Sequence, residues 1–457
     1  METFENVVAT LSGWVWGAPM LILLVGTGLY LTILLRGLQF RALGHALKLI
    51  FDKDHKGVGD ISHFAALTTA LAATVGIGNI VGVATAITLG GPGAVFWMWM
   101  TGIVGMATKY AEAVLAVKYR EQGKHGMRGG PMYYIAKGAG LPWLGWLFAV
   151  FTAGAAFGIG NMTQANSVAV MLDKVFGVEP WATGIVLMSL TGFVLIGGIR
   201  SIGRFTSMLV PFMIVLYIGA ALTVIAINIS EVPDALRLIF YHAFSPIAAG
   251  GGFAGATIAA AIRFGVARGV FSNESGLGSA PIAAAAARTC DPVKQALVSM
   301  TQTFIDTLLV CTITALVILT ATPWTEGVSA GVLTSLSFAE TLGSAGTLVV
   351  ALATVLFAFS TLIGWSYYGE KAVEYLLGAR VIVLYRVVFV AVIVIGATMQ
   401  LELVWNFSDL MNGLMAMPNL IGLLLLSNVV RAETRRYFSA RNVNSENSLK
   451  VEFFDRK

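Results

Sequence analysis

Two long apolar runs in this chain are interrupted at mid-length by groups that a lipid-facing helix does not tolerate. In "LAATVGIGNIVGVATAI" (71–87) the interruption is Gly76-Ile-Gly-Asn79, and in "VARGVFSNESGLGSAPIAAAA" (266–286) it is Ser272-Asn-Glu-Ser-Gly-Leu-Gly-Ser279. Inside hydrocarbon every backbone N–H and C=O needs a partner, so an unwound turn survives only where protein or a watery cavity surrounds it. Each break therefore predicts a site. Gly78 and Gly82 also fit a small-xxx-small packing stripe, but close helix packing in one run does not account for a second break in another.

The surrounding sequence has the composition of a polytopic membrane protein. Over 457 residues the chain is 57% hydrophobic and 12% charged, with a mean hydropathy of +0.81, too apolar for a water-covered surface. Windows of spanning length fall near 14–35, 62–88, 92–117, 141–170, 181–198, 206–228, 250–287, 295–320, 345–368, 381–397 and 403–428, eleven in all. The opening METFENVV lacks the basic segment of a cleavable signal, and the run Trp14 to Leu35 is too long for a signal core, so it reads as a retained span. Of the 29 lysines and arginines, only Lys174 and Arg237 fall on one side of this alternation. Lys109, Arg263, Arg268 and Arg386 lie within spans, and the rest share the other side. By the positive-inside rule this predicts an outside N-terminus and a cytoplasmic C-terminus in a cell membrane. The basic residues are spread over loops, so the pI of about 9.1 does not describe a nucleic-acid-binding face. Cys290 and Cys311 form no disulfide framework or metal knuckle. Residues 1–430 read as one transmembrane domain, and the polar tail 431–457 shows no apolar face to bury.

The breaks fall in spans two and seven. They are five spans apart, an odd step, so the two broken helices enter the membrane from opposite sides. With the span 14–35 set aside, the rest divides into two five-helix repeats, 62–228 and 250–428, each opening with a broken helix. Paired breaks in inverted halves point to the binding site of a secondary transporter. A half-helix N-terminus suits a carboxylate, while unwound carbonyls and helix C-termini suit cations. One molecule with both charges, an amino acid, satisfies both: its carboxylate at Gly76, Gly78 and Asn79, its ammonium near the carbonyls of Phe271 and Ser272.

Three long segments carry a family resemblance: "GIGNIVGVATAITLGGPGAVFWMWMTGIVGMATKYAE" (76–112), "GVARGVFSNESGLGSAPIAAAA" (265–286) and "FAFSTLIGWSYYGEKAVEYL" (357–376). They resemble the alanine or glycine:cation symporter family, also called sodium:alanine symporters. The resemblance implies uptake of alanine or glycine coupled to sodium, or in some members to protons, on a leucine-transporter type fold. By analogy with that fold a sodium ion would lie between the carbonyls of Ala72 and Val75 and the hydroxyls of Ser360 and Thr361, all neutral oxygens. With no carboxylate there, cotransport of a zwitterion would be electrogenic. Trp365, one turn beyond Thr361, would cap the space for the substrate side chain and favour alanine and glycine over leucine. Asn161 and Gln164 form an i, i+3 polar pair with Phe157 one turn back, and Gln164 is the expected substrate contact.

Other polar groups admit a structural reading. Thr68, Thr69 and Thr74 are expected to bond mainly their own backbone. Glu274 is expected to pair with Arg268 or Arg263. Asp306 is either a proton site or a buried acid satisfied by Thr303 and other hydroxyls. Lys109 and Glu112 look like a snorkelling pair at a helix end, and "FWMWM" (96–100) like aromatic packing. The histidines, His45, His55, His63, His125 and His242, lack metal-ligand spacing, and the chain carries no hydrolase or phosphate-binding motif. No enzyme and no organic cofactor is expected. Channels usually build their filters around one axis from several repeats or subunits, whereas two inverted halves suit one occluded molecule in a protein able to act as a monomer.

Overall fold

The computed structural model describes residues 2–52, 57–123, 126–247, 256–321, 323–325 and 327–443. Lys53, His55, Lys56, Lys124, His125, the start of the seventh window and the tail beyond Val443 lie outside these. Among the described residues the chain is helical throughout, apart from one small hairpin that pairs Glu121–Gly123 with Gly126–Arg128. Five helices are long and apolar enough to cross a membrane: Pro142–Phe176, Gly198–Ile227, Pro292–Leu319, Ser344–Leu377 and Ala379–Thr398. Three bent pairs reach that length together. The first, Asn6–Val15 with Ala18–Leu34, bends by 41° and begins well before the expected first window. At its bend Trp16 donates its indole N–H to the Asp409 carbonyl at 2.8 Å.

The first broken helix runs His63–Thr74 and resumes at an angle of 59° as Ile77–Gly90. Ser62 caps its start by accepting from the Ala65 amide at 3.1 Å, the expected use of serine at that position. Thr69 and Thr74 donate to the carbonyls four residues earlier, at 2.7 and 3.1 Å. At the break, glycine is required by crowding. A Cβ on Gly76 would overlap the Thr361 hydroxyl, and one on Gly78 would press on Ser272 Cα at 3.2 Å and on the Phe271 ring at 3.3 Å. The unwound turn of the first broken helix thus packs closely against the last helical turn of the second.

The second broken helix, Ile258–Asn273, ends on Glu274 in the left-handed region with φ of 56°. It resumes at Pro281–Ala285, proline fitting a first turn that needs no N–H. Between them Gly276 and Gly278 adopt φ of 92° and 83°. Their freed amides donate to a single carboxylate oxygen, Glu112 Oε1, at 3.0 and 3.2 Å. Asn419 Nδ2 donates to that oxygen at 2.7 Å and to the Gly276 carbonyl at 2.8 Å, while Tyr134 donates to Asn419 Oδ1. This corrects the expectation of a snorkelling pair. Lys109 and Glu112 are 1% and 0% exposed, because the break needs an acceptor in a dry interior and the buried ammonium offsets its charge. The ammonium of Lys109 makes no hydrogen bond among the described residues and acts on Glu112, Glu274 and Asp306 through its field.

The polar tail also departs from expectation. Helix Ser427–Val443 buries Val430, Thr434 and Phe438, Tyr110 and Thr434 share a hydrogen bond at 2.8 Å, and Lys118 pairs with Glu433. A narrow stripe at helical spacing sufficed, and its charged neighbours hid it in the sequence. The 96–100 segment is aromatic packing, as expected: Phe96 meets Trp97, Phe240 and Phe244 edge-on.

Glu112 is expected to be a stability residue. Glu112→Ala leaves two amides and Asn419 short of an acceptor, at about 1–3 kcal/mol for each buried group left unpaired, and lowers the thermal unfolding midpoint in detergent. Glu112→Gln, which keeps one acceptor oxygen, loses less. An unchanged midpoint in Glu112→Ala would show that water serves these amides instead.

Candidate functional site

The two breaks meet side by side, and the helices Pro142–Phe176, Pro292–Leu319 and Ser344–Leu377 supply the side chains around them. Every residue expected to bind substrate or sodium, from Ala72 to Trp365, is buried. In the first break the Gly76 amide donates to Asn79 Oδ1 at 3.0 Å and the Ile77 amide to Gln164 Oε1 at 3.5 Å. The Gly76 N–H, one of the groups expected to receive a carboxylate, thus already has an amide oxygen as partner, as does the neighbouring Ile77 N–H. Asn79 Nδ2 in turn donates to Asp306 Oδ1 at 2.8 Å and to the Asp306 carbonyl at 3.3 Å.

Asp306 joins the two breaks. Its second oxygen accepts from Ser272 Oγ and Thr307 Oγ1, each at 2.8 Å, and Cys311 Sγ lies 3.3 Å from both Asn79 Nδ2 and Ser272 Oγ. Among the alternatives weighed for Asp306, the hydroxyl partners are Ser272 and Thr307; Thr303 instead bonds Ser275 at 3.0 Å. A π-bulge over Phe304–Cys311 turns Asp306, Val310 and Cys311 inward, a local widening that single-residue helical periodicity does not reveal.

A second π-bulge, Gly158–Met162, separates the predicted polar pair. Asn161 faces helix Ala379–Thr398 and donates to the Phe389 carbonyl at 2.7 Å. Gln164 faces the first break, its Nε2 bonded at 2.9 Å to the Ile159 carbonyl five residues earlier. The inserted residue puts the two amides on different faces, so i, i+3 spacing is not enough here. Phe157 packs beside Asn161, its ring 5.7 and 5.8 Å from those of Tyr385 and Phe389.

The four oxygens expected to hold sodium are adjacent. Ser360 Oγ lies 3.2 Å from the Ala72 carbonyl and 3.5 Å from that of Val75, and Thr361 Oγ1 lies 3.1 Å from the Ala72 carbonyl. Val75 ends the helix with ψ of 83°, which frees its carbonyl from the helical ladder. All four are neutral hard donors, the chemistry an alkali cation takes, with ligands on the first broken helix and on Ser344–Leu377.

Trp365 is fully buried, and its indole N–H donates to Glu274 Oε1 at 2.7 Å. Glu274 Oε2 accepts from Ser279 Oγ at 2.5 Å. The expected Glu274 pairing with Arg268 or Arg263 is not what forms. Arg268 instead makes an ion pair with Asp409 at 2.5 Å, and its guanidinium lies over Phe271 and Trp405, which stack at 5.0 Å. The left-handed turn at Glu274 swings its carboxyl away from the arginines of its own helix. Trp405 and Asp409 escaped sequence reasoning, since an aromatic and an acid near the start of a span resemble an ordinary interfacial belt.

Among the described histidines, His63 pairs with Gln295 at 2.6 Å, His45 with Tyr437 at 3.0 Å and His242 with the Ser245 carbonyl at 3.3 Å. No cluster of His, Cys, Asp or Glu able to hold a metal occurs among the described residues. Two cavities of about 340 and 450 Å³ share Asp60 and Arg200 near the start of the first broken helix. Neither is lined by a substrate or sodium candidate.

Comparison with known proteins agrees with this geometry. The chain matches the sodium:alanine symporter family over residues 1–451. It is 55% identical to the sodium/alanine symporter AgcS of Methanococcus maripaludis, covering 97% of this chain and 100% of that one. It is 40% identical to the probable sodium/glutamine symporter GlnT of Bacillus subtilis, covering 95% and 91%. Among solved structures it is similar to MhsT in complex with L-phenylalanine, with a TM-score of 0.59, 14% identity and coverage of 81% and 89%. A manganese transporter of Eremococcus coleocola follows at 0.52, 13% identity and coverage of 88% and 93%. These neighbours share the leucine-transporter type of fold, which gives the chain its all-α, multi-pass architecture, while the family match and the 55% identical relative make it a transporter and not an enzyme. With its matched breaks and with family similarity along nearly its whole length, the chain belongs to the sodium:alanine symporter family.

Proposed function

We propose that this protein is a secondary active symporter that couples uptake of small neutral amino acids, alanine and glycine, to sodium entry by alternating access. The observation that carries this reading is the meeting of two broken helices, through Gly78 and Ser272, beside a group of neutral oxygens from Ala72, Val75, Ser360 and Thr361. The 55% identical relative named a sodium/alanine symporter supports the same substrate and ion.

On this reading the substrate carboxylate takes the amides around Gly76 and Gly78, with Asn79 and Gln164 as their present partners. The ammonium takes the C-terminal carbonyls at Phe271 and Ser272, where helix Ile258–Asn273 presents its negative dipole end. Trp365 limits the substrate side chain. Sodium binds between Ala72, Val75, Ser360 and Thr361, tying the first broken helix to Ser344–Leu377. The broken helices and their neighbours rock against the scaffold helices around this fixed site, within a transmembrane domain of residues 1–430 that holds the repeats 62–228 and 250–428 and eleven spans. The N-terminus lies outside, residues 431–457 are cytoplasmic, and one chain suffices for transport. Because the sodium ligands are neutral, each zwitterion carried with one sodium moves one net charge.

Proton coupling is the second reading, favoured by one feature: the Asp306 carboxylate bonds both breaks directly, through Asn79 and Ser272. Alanine uptake into liposomes holding the purified protein separates the two. Accumulation driven by a sodium gradient and not by a proton gradient is the expected result. Accumulation driven by protons alone would transfer the coupling role to Asp306, and accumulation with neither would end the symport reading.

Ser360→Ala combined with Thr361→Val removes two of the four sodium oxygens. It is expected to raise the sodium concentration for half-maximal uptake by about tenfold or more, since a lost hydrogen-bonding group of this kind is worth about 1–3 kcal/mol. Sodium must also raise alanine affinity by the factor by which alanine raises sodium affinity. Equilibrium binding of each ligand with and without the other checks that equality.

A further inference from the structure

Trp365 is held in place from several sides, and one of its contacts is a carboxyl carried on a left-handed turn. Its Cβ and ring occupy the space that a side chain on Gly160 would fill, in the π-bulge of helix Pro142–Phe176. Its ring meets Tyr368 edge-on at 5.4 Å. Its only polar atom, the indole N–H, donates to Glu274, a residue of the second break.

Glu274 is an unexpected residue for that place. Among the described residues only Arg36 and Glu274 are non-glycines with positive φ, and L side chains disfavour that region. A helix end of this kind normally takes glycine or asparagine, and glycines follow at 276 and 278. A strained backbone holding a fully buried carboxyl is a reason to ask what the side chain does. Both oxygens are used: one takes the Trp365 indole at 2.7 Å and the other the Ser279 hydroxyl at 2.5 Å. The hydroxyl bond fixes the carboxyl plane, and the carboxyl fixes the indole.

We propose that Glu274 is a positioning residue for Trp365 and thereby sets the size of side chain the substrate chamber admits. The proposal rests on the reading of Trp365 as the wall facing the substrate side chain. Gly160 and Tyr368 confine the ring by apolar contact alone, and Glu274 supplies the polar bond that sets where its N–H edge points. Without that bond the indole turns or withdraws and the chamber widens. The link also ties the wall to the second break. Ser272, two residues before Glu274, touches Gly78 of the first break, so the turn that would receive the substrate ammonium also fixes the wall opposite its side chain.

The test measures sodium-driven alanine uptake in proteoliposomes, with leucine as competitor, for the unaltered protein, Glu274→Ala, Glu274→Gln and Trp365→Ala. In Glu274→Ala the ratio of leucine to alanine inhibition constants is expected to fall by about tenfold or more, the low end for one side-chain step in a hydrophobic pocket. Glu274→Gln, whose amide oxygen still accepts the indole N–H, is expected to retain most of the exclusion. A merely structural role would lower the amount of folded protein without moving this ratio. Unchanged exclusion in Glu274→Ala, with leucine admitted by Trp365→Ala, overturns the positioning role and leaves the Trp365 wall standing. Unchanged exclusion in Trp365→Ala removes the wall itself. If Glu274→Ala does not fold, Ser279→Ala carries the test: it frees the carboxyl plane and is expected to lower the same ratio, and an unchanged ratio overturns the proposal.

Discussion

The constraint on which this structure depends is the pairing of backbone groups where two helices stop inside an apolar interior. An unpaired N–H in such surroundings costs several kcal/mol, so each break exists only because other elements supply partners. For the first break these are amides: Asn79 takes the Gly76 N–H and Gln164 the Ile77 N–H. For the second break the acceptor is a carboxylate, Glu112, backed by Asn419 and Tyr134. The difference suits the proposed ligands. Neutral amides leave the positive end of a half-helix able to receive an anion, whereas the carboxylate behind the second break bonds the amides of Gly276 and Gly278 and stabilises that turn.

The buried charges follow from the same constraint. Glu112 stabilises a backbone turn, Asp306 joins the two breaks, and Glu274 orients an aromatic wall. Lys109 faces all three through the protein interior without a direct hydrogen bond to any. One cation among three acids is an arrangement in which a change in any one acid's surroundings is felt by the others, because the low-dielectric interior screens little. No acid is among the four proposed sodium oxygens of Ala72, Val75, Ser360 and Thr361, so a bound ion's charge would not be cancelled at its own ligands.

Much of this was legible in the sequence because it followed from composition at single positions. Glycines and polar residues inside apolar runs revealed both breaks. Hydroxyls at Ser360 and Thr361, with the turn at Ala72 to Val75, fall together as the resemblance implied. Backbone-bonded threonines behaved as their type predicts. What escaped depended on register or on partners distant in sequence. The two π-bulges each insert a residue, which sent Asn161 and Gln164 to different faces and turned Asp306 toward the breaks. Lys109 and Glu112 have the spacing of a surface pair, and nothing local says that the amides of residues 276 and 278 will arrive beside them. The left-handed turn at Glu274 redirected its side chain from the arginines to Trp365. A short buried stripe, Val430, Thr434 and Phe438, was obscured by the charges around it.

If the proposed substrate mode holds, binding is an exchange of partners and not an addition. The Gly76 N–H now serves Asn79 Oδ1, and a substrate carboxylate reaching that amide displaces it. Asn79 is also bonded through Nδ2 to Asp306, which accepts from Ser272 of the second break. Releasing Asn79 therefore loosens a chain of bonds that runs from one break to the other. Substrate arrival at the first broken helix is then transmitted to the second by three hydrogen bonds, each of ordinary length. On the same reading the sodium side works in parallel: the Ser360 and Thr361 hydroxyls donate over their shortest distances to the Phe357 carbonyl of their own helix, at 2.8 and 3.0 Å, which leaves their lone pairs, with the Ala72 and Val75 carbonyls, to a cation. Both proposed ligands thus act on the short stretch from Ala72 to Asn79, where the helix ends at Thr74 and resumes at Ile77, and that shared segment is a physical route by which the binding of one can alter the affinity of the other.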